Sequence, residues 1–207
     1  MPRRYSMQTR QRASEEARTR IFEATLDALV ASGGQQVTMQ EIAERADVAL
    51  RTLYNHFSNR DDLLTAAFNH HTAQTRAAIE ALGLPDAAPE HQLQHIVEAY
   101  YARYEQMGPR LTVLLAQQDA PELAEQIRAI RRWRRTLLNG VVERARLDGR
   151  LAVSASAALA LAYTLTSHAG WQTLLDAVDG DTAAAAQTAT EALTSALFHR
   201  QPGARRR

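Results

Sequence analysis

The sequence predicts an all-α fold, and three observations support this class. No run of residues alternates apolar and polar side chains for long enough to predict a convincing β-strand, whereas apolar residues recur at helical spacing through most of the chain. Glycine and proline separate these periodic segments, as expected for helices joined by short turns. The 207 residues, 45% of them hydrophobic, suffice for one medium domain or for a small module followed by a larger one.

The first helix is expected to begin after Ser14, where Glu15 and Glu16 favour the positive end of the helix dipole. Gly33-Gly34 predicts its end, because glycine readily adopts the left-handed conformation that terminates helices. The residues at helical spacing that should form its inner face are Ile21, Phe22, Thr25 and Leu29.

A second helix has a stronger start signal. Thr38 followed by Glu41 predicts a capping box, in which each side chain accepts a hydrogen bond from the backbone of the other. Val37 and Ile42 occupy the positions of a hydrophobic staple. This helix must be short, because residues 46–48 have to turn the chain before a third helix begins.

Two short helices joined by a three-residue turn form a helix-turn-helix. The side chains expected to pack together are Ile42, Val48, Leu53 and Phe57. The opposite side of the third helix then carries Arg51, Thr52, Asn55 and His56. A DNA major groove accommodates one helix, and its base edges and phosphates match donors of this kind. The alternative is a solvated face on a small three-helix core.

The remaining elements are also predicted to be helices. Ser58 should cap a long helix that runs to about Leu82. Further helices are expected at 90–107, 109–118, 121–147, 151–178 and 181–199. Residues 151–175 carry no charge and are long enough to cross a bilayer, but they are mostly alanine interrupted by polar residues. A helix buried on both sides within the protein is therefore the better interpretation.

The charge is distributed unevenly. All 24 basic residues are arginine, and six of them lie in residues 1–20 against two glutamates, which gives that segment +4. The other 18 arginines against 21 acids give the rest of the chain −3. A basic arm on a nearly neutral body favours a polyanionic partner, although a solvated, disordered tail explains the charge equally well.

Composition excludes several classes of protein. The chain has no cysteine, which excludes disulfides, thiolate metal sites and thiol redox sensing. The N-terminal sequence MPRRYSMQTRQR has no apolar core and predicts no signal peptide, so a cytoplasmic location is expected. His91, His95 and Glu98 share a helix face that could bind a divalent metal, but a solvated face is the preferred interpretation. No nucleophile–base pair, phosphate loop or paired acid motif predicts catalysis, and no metal or cofactor is expected.

The stretch TMQEIAERADVALRTLYNHFSNRDDLL resembles the DNA-binding segment of TetR-family transcriptional regulators, in which IA-x-x-A-G-V-S-x-x-T-L-Y-x-H-F-x-x-K-x-x-L recurs. The resemblance extends from Ser14 to about Leu64. It implies an N-terminal arm and helix-turn-helix domain over residues 1–60. A long helix would join this domain to a helical ligand-binding and dimerisation domain over residues 61–207.

The resemblance also assigns residues to DNA contacts. The seven positions are Thr38, Arg51, Thr52, Tyr54, Asn55, His56 and Arg60. It implies that Thr38 and Arg60 contact phosphates and that Arg51 reads bases. The remaining four would contact the DNA backbone or bases.

Three positions depart from the family pattern. Asp47 replaces the turn glycine, which is tolerable because aspartate adopts the left-handed conformation more easily than most residues. Ala49 replaces serine, so the recognition helix loses a side-chain cap worth ~1 kcal/mol. Leu50 replaces a polar residue, and we expect it to contact a thymine methyl group or to pack against the core.

A regulator of this type is expected to be a homodimer, because one short helix reads too few bases for useful specificity. The last two helices are the expected seam, where a four-helix bundle would form across a two-fold axis. On the final helix the stripe of small and apolar residues is Ala186, Ala189, Leu193, Ala196 and Leu197.

The middle helices are expected to enclose a site for a small-molecule effector. The candidate residues are Tyr100, Tyr104, Trp133, Arg134, His168 and Trp171. Aromatic residues at helical spacing are more often core than ligand-binding, so a packed core is the competing interpretation. Arg134 falls within the apolar stripe of its helix and needs either an acidic partner such as Glu98 or Asp119, or an acidic ligand.

The sequence therefore predicts a dimeric, sequence-specific DNA-binding regulator, a repressor released from its operator by an effector of unknown identity. The alternative from another class is a helical metal- or substrate-binding enzyme with a basic N-terminal arm. An architectural DNA-binding protein without an effector is a third possibility.

Overall fold

The computed structural model confirms the all-α class. It describes residues 3–84, 87–117 and 121–199, with the side chains of residues 3–11 and 122 outside the description. The helices within these ranges are α1 (Arg3–Ala31), α2 (Met39–Arg45), α3 (Leu50–His56), α4 (Arg60–Glu80), α5 (Pro89–Met107), α6 (Pro109–Ala116), α7 (Pro121–Leu147), α8 (Ala155–Leu165), α9 (His168–Ala177) and α10 (Thr182–Leu197). Over the same ranges the extended pairing is confined to one isolated antiparallel bridge, between Leu151 and Phe198.

Helix α1 is longer than the sequence predicted. It begins at Arg3 rather than after Ser14, so the basic segment continues the helix instead of forming an unstructured arm. Residues 3–14 contain no glycine or proline and are rich in arginine and glutamine, which favour helices. The predicted inner face is confirmed, because Ile21, Phe22, Thr25 and Leu29 are all buried.

The end of α1 follows the prediction. Gly33 and Gly34 both have positive φ, at 64° and 83°. The Gly34 N–H donates to the Leu29 carbonyl at 2.8 Å, which satisfies one of the last free carbonyls of the helix.

The chain divides into two compact units. The first comprises Met1–Ala73 and Gly108–Arg128, and the second comprises Gln74–Met107 and Ala129–Arg207. The division at residue 60 that the sequence predicts concerns DNA-binding and ligand-binding roles, and it stays a prediction.

In the first unit, α6 is fastened to α1 by charged and polar contacts. The Arg110 guanidinium donates to Asp27 at 2.7 Å and also pairs with Glu23. The Gln117 amide donates to the Gly34 carbonyl at 2.9 Å. The hydrogen bond to Asp27, together with the negative charges of both carboxylates, raises the pKa of Arg110 above its ordinary value, so its guanidinium stays charged.

In the second unit, the long helix expected at 151–178 is broken into two. Ser154 caps α8 by accepting the Ala157 N–H at 3.3 Å, and Ser167 caps α9 by accepting the Gly170 N–H at 3.0 Å. A Cβ on Gly170 would lie 2.5 Å from the Thr164 carbonyl oxygen, so glycine permits the sharp turn. The break arises because the Ser167 side chain offers the Gly170 N–H an alternative to a helical carbonyl, whereas Ser154 sets the start of α8.

Most of the stripe predicted on the final helix packs against other helices of the same chain. Ala186, Ala189, Leu193 and Leu197 are buried within the second unit, where α10 packs on α5, α8 and α9, whereas Ala196 is exposed. Four of the five stripe residues therefore pack within the chain, and only Ala196 is left exposed for the predicted dimer seam, which stays a prediction. Within the described residues, no helix is both long enough and apolar enough to cross a membrane.

Candidate functional site

The start of α2 has the predicted capping box. Thr38 Oγ1 accepts the Glu41 N–H at 3.2 Å, and the Glu41 carboxylate accepts the Thr38 N–H at 2.7 Å. These hydrogen bonds, the backbone one foremost, lower the pKa of Glu41 below its usual range. Val37 and Ile42 are buried as a hydrophobic staple requires. The entry of the chain into α2 is thus fixed by local contacts.

The turn between α2 and α3 also follows the prediction. Asp47 has φ of 53°, the left-handed conformation that glycine would adopt more easily. Ala49 precedes α3 without a side-chain cap. Leu53 is fully buried and Phe57 nearly so, with the Phe57 ring centroid 5.8 Å from that of Phe22 on α1. The orientation of α3 is therefore set by its apolar side.

The outward side of α3 is polar and accessible. Arg51, Asn55 and His56 are exposed, Thr52 is half-buried, and Tyr54 is 51% exposed. Leu50 is half-buried, so it neither joins the core fully nor projects freely. The surface that the sequence predicted to meet DNA is present as one continuous helix face, which we call the reading face (residues 51, 52, 54, 55 and 56). Its role in DNA contact stays a prediction.

Helix α4 begins at Arg60, and its cap is Asn59 rather than the predicted Ser58. Asn59 Oδ1 accepts the Asp62 N–H at 2.8 Å, while the Asp62 carboxylate accepts the Ser58 N–H at 3.0 Å. These two hydrogen bonds satisfy two backbone donors at the start of the helix, which explains why the cap and the first helical residue both lie one residue later than predicted. Arg60 Nη1 lies 3.3 Å from the Asp61 carboxylate, with a side chain only 25% exposed.

In the second unit, five of the six candidate effector residues come together. The Tyr104 ring centroid lies 5.8 Å from Tyr100, 5.5 Å from His168 and 5.7 Å from Trp171. His168 and Trp171 are 5.4 Å apart. The Arg134 guanidinium lies 6.0 Å from the centre of the Tyr100 ring. We call these five residues the aromatic cluster.

Trp133 does not belong to the aromatic cluster. It lies beneath the Arg76 guanidinium, 5.2 Å from the ring centre. Neighbouring positions on a helix point about 100° apart, and here Trp133 meets Arg76 while Arg134 meets Tyr163.

Two further groups contribute to the cluster and were not predicted from the sequence. The Tyr163 ring centre is 4.0 Å from the Arg134 guanidinium, a cation–π contact. The Thr166 carbonyl accepts from both Arg134 Nη1, at 3.3 Å, and Tyr104 OH, at 2.8 Å. That carbonyl is free because α8 ends at Leu165, and the break between α8 and α9 was not predicted.

Burial controls the protonation of the cluster. It raises the pKa of Tyr100 and raises that of Tyr104 to about 12, so both hydroxyls keep their protons. Burial also lowers the pKa of His168, so the neutral imidazole is favoured near neutral pH. Arg134 is therefore the positive charge that the cluster holds.

Several buried polar atoms of the cluster have no hydrogen-bond partner among the residues that the structure describes. They are Tyr100 OH, Arg134 Nε, His168 Nε2 and Trp171 Nε1. Of the acids proposed as partners for Arg134, Glu98 pairs instead with His95 at 3.4 Å, and Asp119 lies outside the described residues. Among the side chains that the structure describes, no carboxylate lies within ion-pair distance of Arg134. Over the same residues, no three metal-ligating side chains converge, His91, His95 and Glu98 included.

Replacing Tyr100 with phenylalanine should stabilise the unliganded protein. The Tyr100 hydroxyl is buried without a partner, so its removal recovers a desolvation penalty of about 1–3 kcal/mol while the ring contacts remain. Tyr101→Phe is the matched control, because its hydroxyl donates to the Leu165 carbonyl at 2.7 Å and its loss should destabilise. Urea unfolding followed by circular dichroism should give changes of opposite sign, and a loss of stability in both variants would contradict this.

Comparison with known proteins finds a family match in the N-terminal segment. The family described as "Bacterial regulatory proteins, tetR family" matches residues 21–67. The HTH-type transcriptional repressor KstR of Mycolicibacterium smegmatis is 35% identical over 100 residues, which are 48% of each protein. The HTH-type transcriptional regulator BetI of Klebsiella pneumoniae is 34% identical over 82 residues, 39% of this chain and 42% of BetI. The chain thus matches about half the length of these curated relatives.

The fold is shared more widely than the sequence. The crystal structure of the transcriptional regulator FadR from Bacillus subtilis in complex with stearoyl-CoA aligns with a TM-score of 0.72 at 19% identity, covering 86% of this chain and 98% of FadR. These matches confirm the resemblance that the sequence indicated. The matched relatives are regulators, so the comparisons do not support the enzyme alternative.

Proposed function

We propose that this chain, whose residues 21–67 are of the TetR family of bacterial regulatory proteins, is a dimeric repressor that a small-molecule effector releases from its DNA operator. The observation that carries the proposal is the reading face, an exposed polar side on a helix whose other side is fixed in a core by Leu53 and Phe57. A rigid helix that presents donors outward is the element that a major groove accepts.

The roles at the reading face follow from exposure. Arg51 can reach a guanine edge with two parallel hydrogen bonds, and Asn55 can do the same at adenine. Tyr54 and His56 supply donors for phosphates or bases, with Thr52 beside them. Thr38 is also exposed at the start of α2, where its backbone position suits a phosphate.

Arg60 is proposed to bind a phosphate at the start of α4. The Arg60 guanidinium lies 3.3 Å from the Asp61 carboxylate, so a DNA phosphate must compete with Asp61 for it. Arg60→Ala should weaken binding to all duplexes alike and lower the salt slope by about one unit.

The control for that variant is Arg76→Ala, which removes an exposed arginine from the same helix. Fluorescence anisotropy on two unrelated duplexes over a salt series measures the slope. An unchanged slope for Arg60→Ala would show that this residue serves only its contact with Asp61.

The dimer is proposed to form through the exposed surfaces of α8 and α10. Leu161 on α8 is 41% exposed, and Val153 just before it is 37% exposed. The outward side of α10 carries the small residues Ala192 and Ala196, which permit close approach of a second helix. Exposed apolar groups on neighbouring helices support a four-helix bundle across a two-fold axis.

The effector is proposed to act through the aromatic cluster. The relative FadR was crystallised with stearoyl-CoA, which supports a ligand-binding role for the corresponding helical unit here. Helix α4 contributes Arg60–Ala73 to the first unit and Gln74–Glu80 to the second, so it is the element through which a ligand would change the positions of the reading faces.

Selection of duplexes from a random DNA pool tests the dimeric reading mode. The selected sites should contain two inverted half-sites whose centres lie about 34–36 Å apart, one helical turn, or a multiple of that distance. A single half-site bound by one protomer, established by sedimentation of the complex, would contradict the dimeric repressor.

A further inference from the structure

Three of the four unpartnered atoms of the aromatic cluster can donate a hydrogen bond, whereas the fourth, His168 Nε2, donates or accepts according to the tautomer of the neutral imidazole. Trp171 Nε1–H and Arg134 Nε–H can only donate hydrogen bonds, because neither atom has a lone pair available to accept one. The Tyr100 hydroxyl keeps its proton and can donate as well. Buried donors without acceptors are rare in folded proteins, since each loses its hydrogen bonds to water without compensation. Three donors of the cluster therefore have no acceptor among the described residues.

The side chains that carry the unpartnered donors are buried to different degrees, and burial makes a missing acceptor costly. Tyr100 is 3% exposed and Trp171 is 6% exposed. Bulk water thus has little access to their donors. They come from three different helices, α5, α7 and α9, yet they are linked through direct contacts with Tyr104 and with each other. Donors that converge from separate helices form a composite site.

The positive charge of Arg134 also favours an anionic ligand at the cluster. Arg134 is half-buried, and no described carboxylate lies within ion-pair distance of it. One nitrogen, Nη1, is already used by the Thr166 carbonyl, while Nε is open. A guanidinium of this kind needs an anion, and it binds planar acid groups through paired hydrogen bonds.

The surroundings of Arg134 define the rest of the ligand. Tyr163 lies against the guanidinium at 4.0 Å, and Tyr104, His168 and Trp171 present ring faces and edges beside it. These surfaces favour an apolar or aromatic body over a sugar or a peptide, because they offer large contact area and few further polar groups.

We propose that Tyr100, Arg134 and Trp171 bind the acid group of an organic anion, a carboxylate or phosphate attached to an apolar body. This inference rests on the proposed function, since it names the chemical class of the effector. The ligand's oxygen atoms supply the acceptors that the three donors lack, and the aromatic rings cover its apolar part.

A pair of fluorescent probes tests the inference directly. 8-Anilinonaphthalene-1-sulfonate carries an acid group, and N-phenyl-1-naphthylamine has the same ring system without it. The wild-type protein should bind the sulfonate at least tenfold more tightly than the neutral probe, because hydrogen bonds to charged groups are the stronger class. Equal affinity for the two probes would overturn the inference.

The variants Arg134→Met and Arg135→Met form a matched pair on α7, since Arg135 is exposed. Arg134→Met should weaken the sulfonate about tenfold or more and leave the neutral probe unchanged, whereas Arg135→Met should change neither. Equal sulfonate affinity in the two variants would contradict the role of Arg134. If Arg134→Met does not fold, Trp171→Phe takes its place in the test. It removes a donor while keeping an aromatic ring, so it should weaken binding of the sulfonate and leave the neutral probe unchanged.

Competition distinguishes the two sources of the acid group. Displacement of the sulfonate by 1-naphthoate in preference to 1-naphthyl phosphate indicates a carboxylate ligand, and the reverse order indicates a phosphate. Displacement by neither compound would count against the inference.

DNA binding separates this inference from the proposed function. Arg134→Met should bind a selected operator as tightly as the wild type does when no probe is present. If Arg134→Met binds DNA normally and binds the sulfonate probe as tightly as the wild-type protein does, the acid-binding site is rejected and the proposed function is not. Absence of operator binding by the wild-type protein would reject the proposed function.

Discussion

Replacing Leu53 with alanine should remove about 2–5 kcal/mol from the free energy of unfolding. Leu53 has no exposed surface and is the one residue of α3 that is buried outright. Helix α3 is seven residues long and lacks a side-chain cap, so it has little intrinsic stability. The apolar contact at Leu53 and the adjoining Phe57 must therefore hold it in place.

The measurement is urea unfolding followed by far-ultraviolet circular dichroism, because both tryptophans lie in the second unit and report poorly on the first. Tyr54→Ala is the control, since this neighbouring side chain is about half exposed and its loss should change stability by less than ~0.5 kcal/mol. Similar losses in the two variants would mean that α3 is not anchored by its apolar side.

Replacing Arg51 with alanine should weaken the selected operator by about 1–3 kcal/mol and random DNA by much less. Arg51 is exposed on the first turn of α3, where recognition helices contact base edges. Two parallel hydrogen bonds to a guanine distinguish it from the other bases, so the loss falls on the specific site.

Arg45→Ala provides the matched control for charge. Arg45 is exposed at the end of α2, and its removal should affect operator and random duplexes equally. Competition binding at fixed salt yields the ratio of the two affinities for each variant. If Arg51→Ala lowers both affinities by the same factor, Arg51 neutralises phosphate and does not read sequence.

The helix-turn-helix was predictable because its signals are local. The capping box at Thr38, the left-handed Asp47 and the missing cap at Ala49 each depend on residues within one turn of the chain. Local hydrogen bonds and backbone sterics determine such features largely without reference to the rest of the protein.

The second unit was harder to predict because helical periodicity shows neither where a helix breaks nor which element covers each face. The break at Thr166 is set by the Ser167 cap and by the close approach of Gly170 to the end of α8. Periodicity alone continues through this region, so it predicted one helix where there are two. The same error hid the Thr166 carbonyl, which accepts from Arg134 and Tyr104.

The stripe on α10 shows a related limit. Small residues at helical spacing indicate that another helix approaches closely, but they do not say whether that helix belongs to the same chain. In the folded protein α5 packs against α10, and Ala189 is completely buried as a result. Likewise Trp133 and Tyr163 are both aromatic, but the packing of the folded chain sets Trp133 against Arg76 and Tyr163 against Arg134.

Equilibrium binding of the full chain to its selected operator and to a scrambled duplex, over a range of salt concentrations, tests the central claim most directly. The account predicts that the operator binds at least about a thousandfold more tightly at physiological salt. It also predicts that the logarithm of each affinity falls linearly with the logarithm of salt concentration. Equal affinity for the two duplexes, or no binding to either at low salt, would contradict sequence-specific recognition by the reading face.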